Sequence, residues 1–93
     1  MKELNDLRKE IDKIDKEIAL LYNKRMDVIS KINKIKKDNN LNIIDKERED
    51  NLINENLKYV KEEYKDYYIS LEKHILKLSK DYQEKLWNTK NIN

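Results

Sequence analysis

The chain has 93 residues, of which 43% are charged and 38% hydrophobic, and a length of that order is one domain, 1–93, burying only about two-thirds of the surface its unfolded form exposes. Its 21 basic and 19 acidic residues are interspersed, so the net charge of +2 offers no footprint for nucleic acid, and the absence of cysteine excludes disulfides and thiolate chemistry. Glycine and proline are both missing, which leaves helices uninterrupted and tight hairpins without their usual residues, so the predicted class is all-α.

Such a high charged fraction pushes toward disorder, but the hydrophobic residues are rich in Leu and Ile and strongly periodic, so a folded protein is expected. Met1 to Glu10 is largely charged, and the longest apolar run is only Ile18 to Tyr22. Neither a signal peptide nor a membrane span is expected, and the cytoplasm is the default location.

In the first third, Leu4, Leu7, Ile11, Ile14, Ile18 and Leu21 alternate spacings of three and four, and the register resumes at Val28, Ile32 and Ile35. This pattern predicts one long amphipathic helix from about Glu3 to Lys37. At 1.5 Å per residue it would be about 50 Å long, whereas a compact monomer of this size has a radius of gyration of about 12 Å. A helix of that length leaves its apolar seam exposed unless a second chain covers it, so the length alone predicts a dimer.

The segment Asp38-Asn39-Asn40-Leu41-Asn42 then breaks the pattern with turn-prone side chains and predicts a loop. Asp45 reads as the N-cap of a second helix, with Glu47 in a first turn whose dipole favours a carboxylate, and with Leu52, Ile53, Leu57 and Val60 along it. Charges dominate from Lys61 to Asp66. A third helix follows from Tyr67 through about Trp87, with Leu71, Ile75, Leu78, Tyr82 and Leu86 on one side, and the polar tail Asn88 to Asn93 is expected to fray.

Continuing the first heptad places Arg25 in a core position between Leu21 and Val28. Burying an unpaired guanidinium costs several kcal/mol, so an anion should meet it, either an acidic residue on another helix or a ligand inside the bundle. Lys36, eleven residues on, returns to nearly the same face about 16 Å away. Arg8, seventeen residues before Arg25, lies about 25 Å back along the axis and turned by about 100°, beyond ready reach of the same site in its own chain. Ser79 and Gln83 share one edge of the third helix, as an ordinary hydrogen-bonding pair or as donors to a ligand. His74 is the single histidine and stands without a thiol partner, so no metal site is expected. Four of the six tyrosines, Tyr59, Tyr64, Tyr67 and Tyr68, cluster near a helix junction, where packing is a simpler account than base stacking.

Taken in order, Leu7-Arg8-Lys9-Glu10-Ile11-Asp12-Lys13-Ile14-Asp15, then Leu20-Leu21 and Arg25, Lys36, Asp45-Lys46-Glu47-Arg48, and finally Ser79 with Gln83 resemble the all-helical, AroQ-type chorismate mutases over essentially the whole chain. The resemblance implies an intertwined helical homodimer of three-helix chains that rearranges chorismate to prephenate, an isomerase step of aromatic amino-acid biosynthesis that uses no cofactor. It also implies roles. Arg25 and, from the other subunit, Arg8 would hold the two carboxylates; Lys36 and Gln83 would donate to the ether oxygen; Glu47 would accept from the ring hydroxyl; Ser79 would contact a carboxylate. The loop departs from the family pattern, which often has Gly or Pro there, and Ile43 is the nearest match to a substrate-contacting loop residue. Lys46 stands where Arg or Pro is frequent. Three other readings remain: a noncatalytic helical interaction module, a pyruvate lyase acting on isochorismate in a similar pocket, and a nucleic-acid binder.

Overall fold

The computed structural model describes residues 1–90 as three helices, α1 (Lys2–Asp38), α2 (Lys46–Asn56) and α3 (Lys65–Lys90), with two short 3₁₀ turns, Leu57–Tyr59 and Glu62–Tyr64, between the last two. There is no strand among the described residues. The all-α class and the three-helix order therefore agree with the sequence pattern. The polar tail is helical as far as Lys90, and the rest of it, 91–93, lies outside the described residues.

No glycine or proline interrupts α1, and its charges suit the dipole, with Glu3 in the first turn and Lys36 and Lys37 in the last. It stops where Asn40 takes a left-handed conformation at φ 56°, a position glycine usually fills and asparagine tolerates better than most residues. The amide of Leu41 then donates to the Lys36 carbonyl at 2.7 Å and that of Asn40 to the Lys37 carbonyl at 3.2 Å, the paired bonds of a Schellman ending. This turn reverses the chain. At the start of α2 the Asp45 carboxylate accepts from the Arg48 amide at 3.0 Å, the predicted cap.

Two boundaries differ from expectation. Leu57 and Val60 do not continue α2: the chain tightens into a 3₁₀ turn after Asn56 and Val60 leaves it extended. Lys61 to Asp66 is less of a break than its charge suggests, because Lys61 is extended, Glu62–Tyr64 forms a turn, and α3 begins at Lys65. Acidic Glu62, Glu63 and Asp66 sit at that N-terminal end, where the dipole favours them. Asn56 on α2 also donates to the Tyr68 hydroxyl on α3 at 3.0 Å, tying the two helices together.

The packing is unlike that of a self-sufficient domain. α1 and α3 pack on each other and α2 lies against α3, yet every residue from 1 to 24 is exposed. The seam stays open along its whole length, with Leu7 59%, Ile11 56%, Ile18 56% and Leu21 61% exposed. The radius of gyration is 17.0 Å and the longest extent 56 Å, against about 12 Å for the radius of a compact chain of this length. On α3, Leu71 and Leu78 face outward rather than into the chain's interior. Among the described residues the buried ones are Ile53 and four polar side chains, Asn33, Glu72, Ser79 and Gln83. The interior of the single chain is therefore polar, and most of its oil is outside. No described helix is long and apolar enough to cross a membrane.

Candidate functional site

Three of the buried polar residues lie on one stripe of α3. Glu72, Ser79 and Gln83 are spaced seven and four apart, so with Leu76 they project from the same face toward α1. From α1 the matching face is Arg25, Ile29, Ile32 and Lys36, and α2 closes the third side with Asp45, Arg48, Glu49 and Leu52. Between them is a cleft of about 310 Å³, of a size that suits a small ligand.

Arg25 does not sit enclosed in the exposed seam. Its side chain turns toward α3 and is 31% exposed, while Leu21 and Val28 face away. Nη1 donates to the Ser79 hydroxyl, and Nη2 stands 3.9 Å from a carboxylate oxygen of Glu72. Ser79 in turn donates to the Ile75 carbonyl at 2.9 Å, which fixes the oxygen that Arg25 meets. Arg25 thus has an acidic partner on another helix and also lines the cleft.

Lys36 enters from the last turn of α1 and donates to the Ile43 carbonyl at 2.8 Å. The Schellman turn makes this possible by folding the loop back over the helix end. Ile43 thereby lines the cleft with its carbonyl engaged by Lys36. Gln83 is 4% exposed, lines the same cleft, and has its Oε1 buried without a hydrogen-bond partner. An unpaired buried amide oxygen costs about 1–3 kcal/mol.

Lys36, Arg25, Ser79 and Gln83 are therefore brought together as the sequence suggests, whereas two other expected residues are not. Glu47 is exposed and does not line the cleft. With Asp45 as cap, Glu47 falls on the outer side of α2, and the carboxylate that faces inward is Glu49, one turn after the cap and one turn before Ile53. Glu49 accepts from Lys80 of α3 at 3.4 Å. Arg8 lies on the free half of α1, exposed and outside the cleft. Lys46 and His74 are exposed and also outside it. Sequence reasoning named Arg48 in the motif without giving it a role and missed Glu49 and Lys80, although Arg48 and Glu49 stand four residues before Leu52 and Ile53, which marks both as inward-facing.

In charge, the cleft walls carry four cations, Arg25, Lys36, Arg48 and Lys80, against Asp45 and Glu49. No cluster of potential metal ligands occurs among the described residues. Away from the cleft, the Lys77 pKa is raised by its hydrogen bond and ion pair to Asp81 on the solvent side of α3. A cationic, partly apolar cleft with paired donors suits a small polyanion that needs holding and charge stabilisation rather than attack by a nucleophile.

The family model for chorismate mutase type II matches residues 7–84 of the chain. Over 64 residues, 69% of the chain, it is 45% identical to a bifunctional chorismate mutase/prephenate dehydratase of Aquifex aeolicus, and over 49 residues, 53% of the chain, it is 43% identical to the T-protein of Haemophilus influenzae. The aligned stretches span only 18% and 13% of those two proteins. No solved structure matches the chain.

Proposed function

The chain belongs to the chorismate mutase type II family, and from that premise we propose that it rearranges chorismate to prephenate in a cleft completed by a second copy of itself. The observation that carries the proposal is the convergence of Arg25, Lys36 and Gln83, from the two ends of α1 contact and the buried stripe of α3, on one cleft. The reaction is intramolecular. The ether C–O bond breaks as a new C–C bond forms, and no proton, electron or group leaves the molecule. The protein's tasks are to hold a flexible dianion in its compact reactive conformer and to stabilise negative charge as it develops on the ether oxygen.

Arg25 suits a carboxylate because its planar fork offers parallel donors, and Ser79 keeps that fork in place. Lys36 suits a single oxygen: its compact ammonium, resting on the Ile43 carbonyl, has two further protons to offer. Gln83 supplies a neutral amide donor to the same oxygen. To Arg48, which lines the cleft, we assign the second carboxylate, and to Glu49 the ring hydroxyl, since Glu49 lines the cleft and Glu47 does not. The open seam of α1 supports the homodimer, since a second helix laid along it covers the exposed Leu and Ile side chains and brings Arg8 of the partner subunit toward Arg25. The cytoplasm is the setting we assign.

The test is to incubate the purified chain with chorismate and with isochorismate side by side. Loss of chorismate absorbance with formation of prephenate, and no pyruvate from either substrate, is the expected result. Pyruvate release from isochorismate would move the assignment to a lyase on the same cleft, and turnover of neither would leave a noncatalytic helical module.

A further inference from the structure

Glu72 is a carboxylate with a side chain only 9% exposed, at the N-terminal end of the polar stripe of α3, yet it does not line the cleft. It lies one turn from Leu76 and two from Ser79, so it sits at the end of the site where Arg25 enters. Arg25 is held between the two: Nη1 on the Ser79 hydroxyl, Nη2 at 3.9 Å from Glu72 Oε1. A buried carboxylate is tolerated where a cation compensates it, and here the compensating guanidinium is also the one that lines the cleft, so Glu72 and Ser79 together bear on where that guanidinium sits.

We propose that Glu72 is a positioning residue for Arg25, one that fixes the guanidinium toward the cleft by its charge and, by the same charge, weakens the hold of the site on its dianion. The inference rests on the mutase reading of the cleft. Two effects of opposite sign follow. Behind the guanidinium, the carboxylate restrains a long side chain that Ser79 alone would leave free to pivot, so the fork meets the transition state already oriented. It also repels the substrate carboxylate that Arg25 binds, and it does so equally in the ground and transition states, which raises KM without touching kcat.

Glu72→Gln keeps the volume and an acceptor oxygen but removes the charge. The expected result is a folded enzyme in which KM for chorismate falls by about threefold to tenfold, as loss of one like charge at close range in a partly screened site implies, while kcat also falls, leaving kcat/KM nearly unchanged. A merely structural residue would give fewer active sites at unchanged KM. Glu72→Asp restores the charge one methylene further back, so KM should return to within about twofold of wild type with kcat between those of wild type and Glu72→Gln. KM unchanged or raised in Glu72→Gln, alongside an active wild type, overturns the role of Glu72 and leaves the mutase reading standing. If Glu72→Gln does not fold, Glu72→Asp decides, and wild-type kcat in that variant overturns the proposal. A wild type that turns over no chorismate fails the parent reading, and this inference with it.

Discussion

Gln83 offers the sharpest test of how the cleft works, because a single atom exchange turns a pH-independent donor into one that must be protonated to donate. Glu in place of Gln83 keeps the shape of a side chain that is 4% exposed, so the helix packing has no steric reason to change. When ionised it sets a negative charge against an oxygen that is itself gaining negative charge; when protonated it donates as the amide did. The active form is the protonated one, so activity must rise as pH falls. With a carboxyl near its ordinary value of about 4.3, only about one molecule in a thousand is protonated near neutrality, so kcat/KM should lie about a thousandfold below wild type there. Each unit of acidification should then recover about tenfold, until the rate levels off below the carboxyl's own pKa. Burial pushes that pKa up and the Lys36 ammonium in the same cleft pulls it down, so the plateau moves but the slope does not. Initial rates of chorismate loss across the pH range in which both proteins keep their circular dichroism give the answer. A pH profile parallel to that of wild type would falsify the placement of Gln83 at the ether oxygen.

The composite site makes its own prediction: Arg8→Ala and Arg25→Ala dimers should each be nearly inactive, but an equal mixture allowed to exchange subunits should regain about a quarter of wild-type activity, because half the dimers are hybrids and each hybrid has one intact site of two. Activity that never returns on mixing means Arg8 serves no site across the interface. Ile18→Glu, which puts a charge on the open seam, should lower the sedimentation mass from about twice the 11.4 kDa of the chain toward the monomer and take catalysis with it. Glu49→Gln should reduce kcat/KM by about tenfold or more, whereas Glu47→Gln should stay within about twofold, a contrast read directly from steady-state kinetics.

The parts of this protein that were legible in its sequence are those where a residue breaks a strong local pattern. α1 and α3 were readable because the 3–4 spacing runs uninterrupted, and Arg25, Lys36, Ser79 and Gln83 because each is polar where the stripe calls for oil or its edge. Glu49 was readable in principle: once Asp45 is the cap, the inward face of α2 passes through Glu49 and Ile53, and Glu47 is half a turn off it. Lys80 was not, since a lysine on a lysine-rich helix carries no mark of its own, and only the approach of α2 to α3 makes it the partner of Glu49 at 3.4 Å. The direction of α3 was hidden for a different reason. Its apolar stripe through Leu71 and Leu78 obeys the usual periodicity, but a single chain turns that stripe outward and buries the polar one, an inversion that periodicity is blind to.

That inversion ties the chemistry to association. The cleft presents four cations against Asp45 and Glu49, and Glu72 behind Arg25 takes back one more charge, so a lone chain brings a net of about one positive charge to a substrate carrying two negative ones. A cation from outside the chain is what the balance lacks, and the half of α1 that carries Arg8 is the half whose residues are all exposed. In the proposed dimer, the same exposed seam that makes a single chain poorly packed would deliver the guanidinium that its site is short of. Burial and charge thus favour the same assembly, and a monomer engineered by polar substitution of the seam would lose substrate affinity even if its own cleft remained intact.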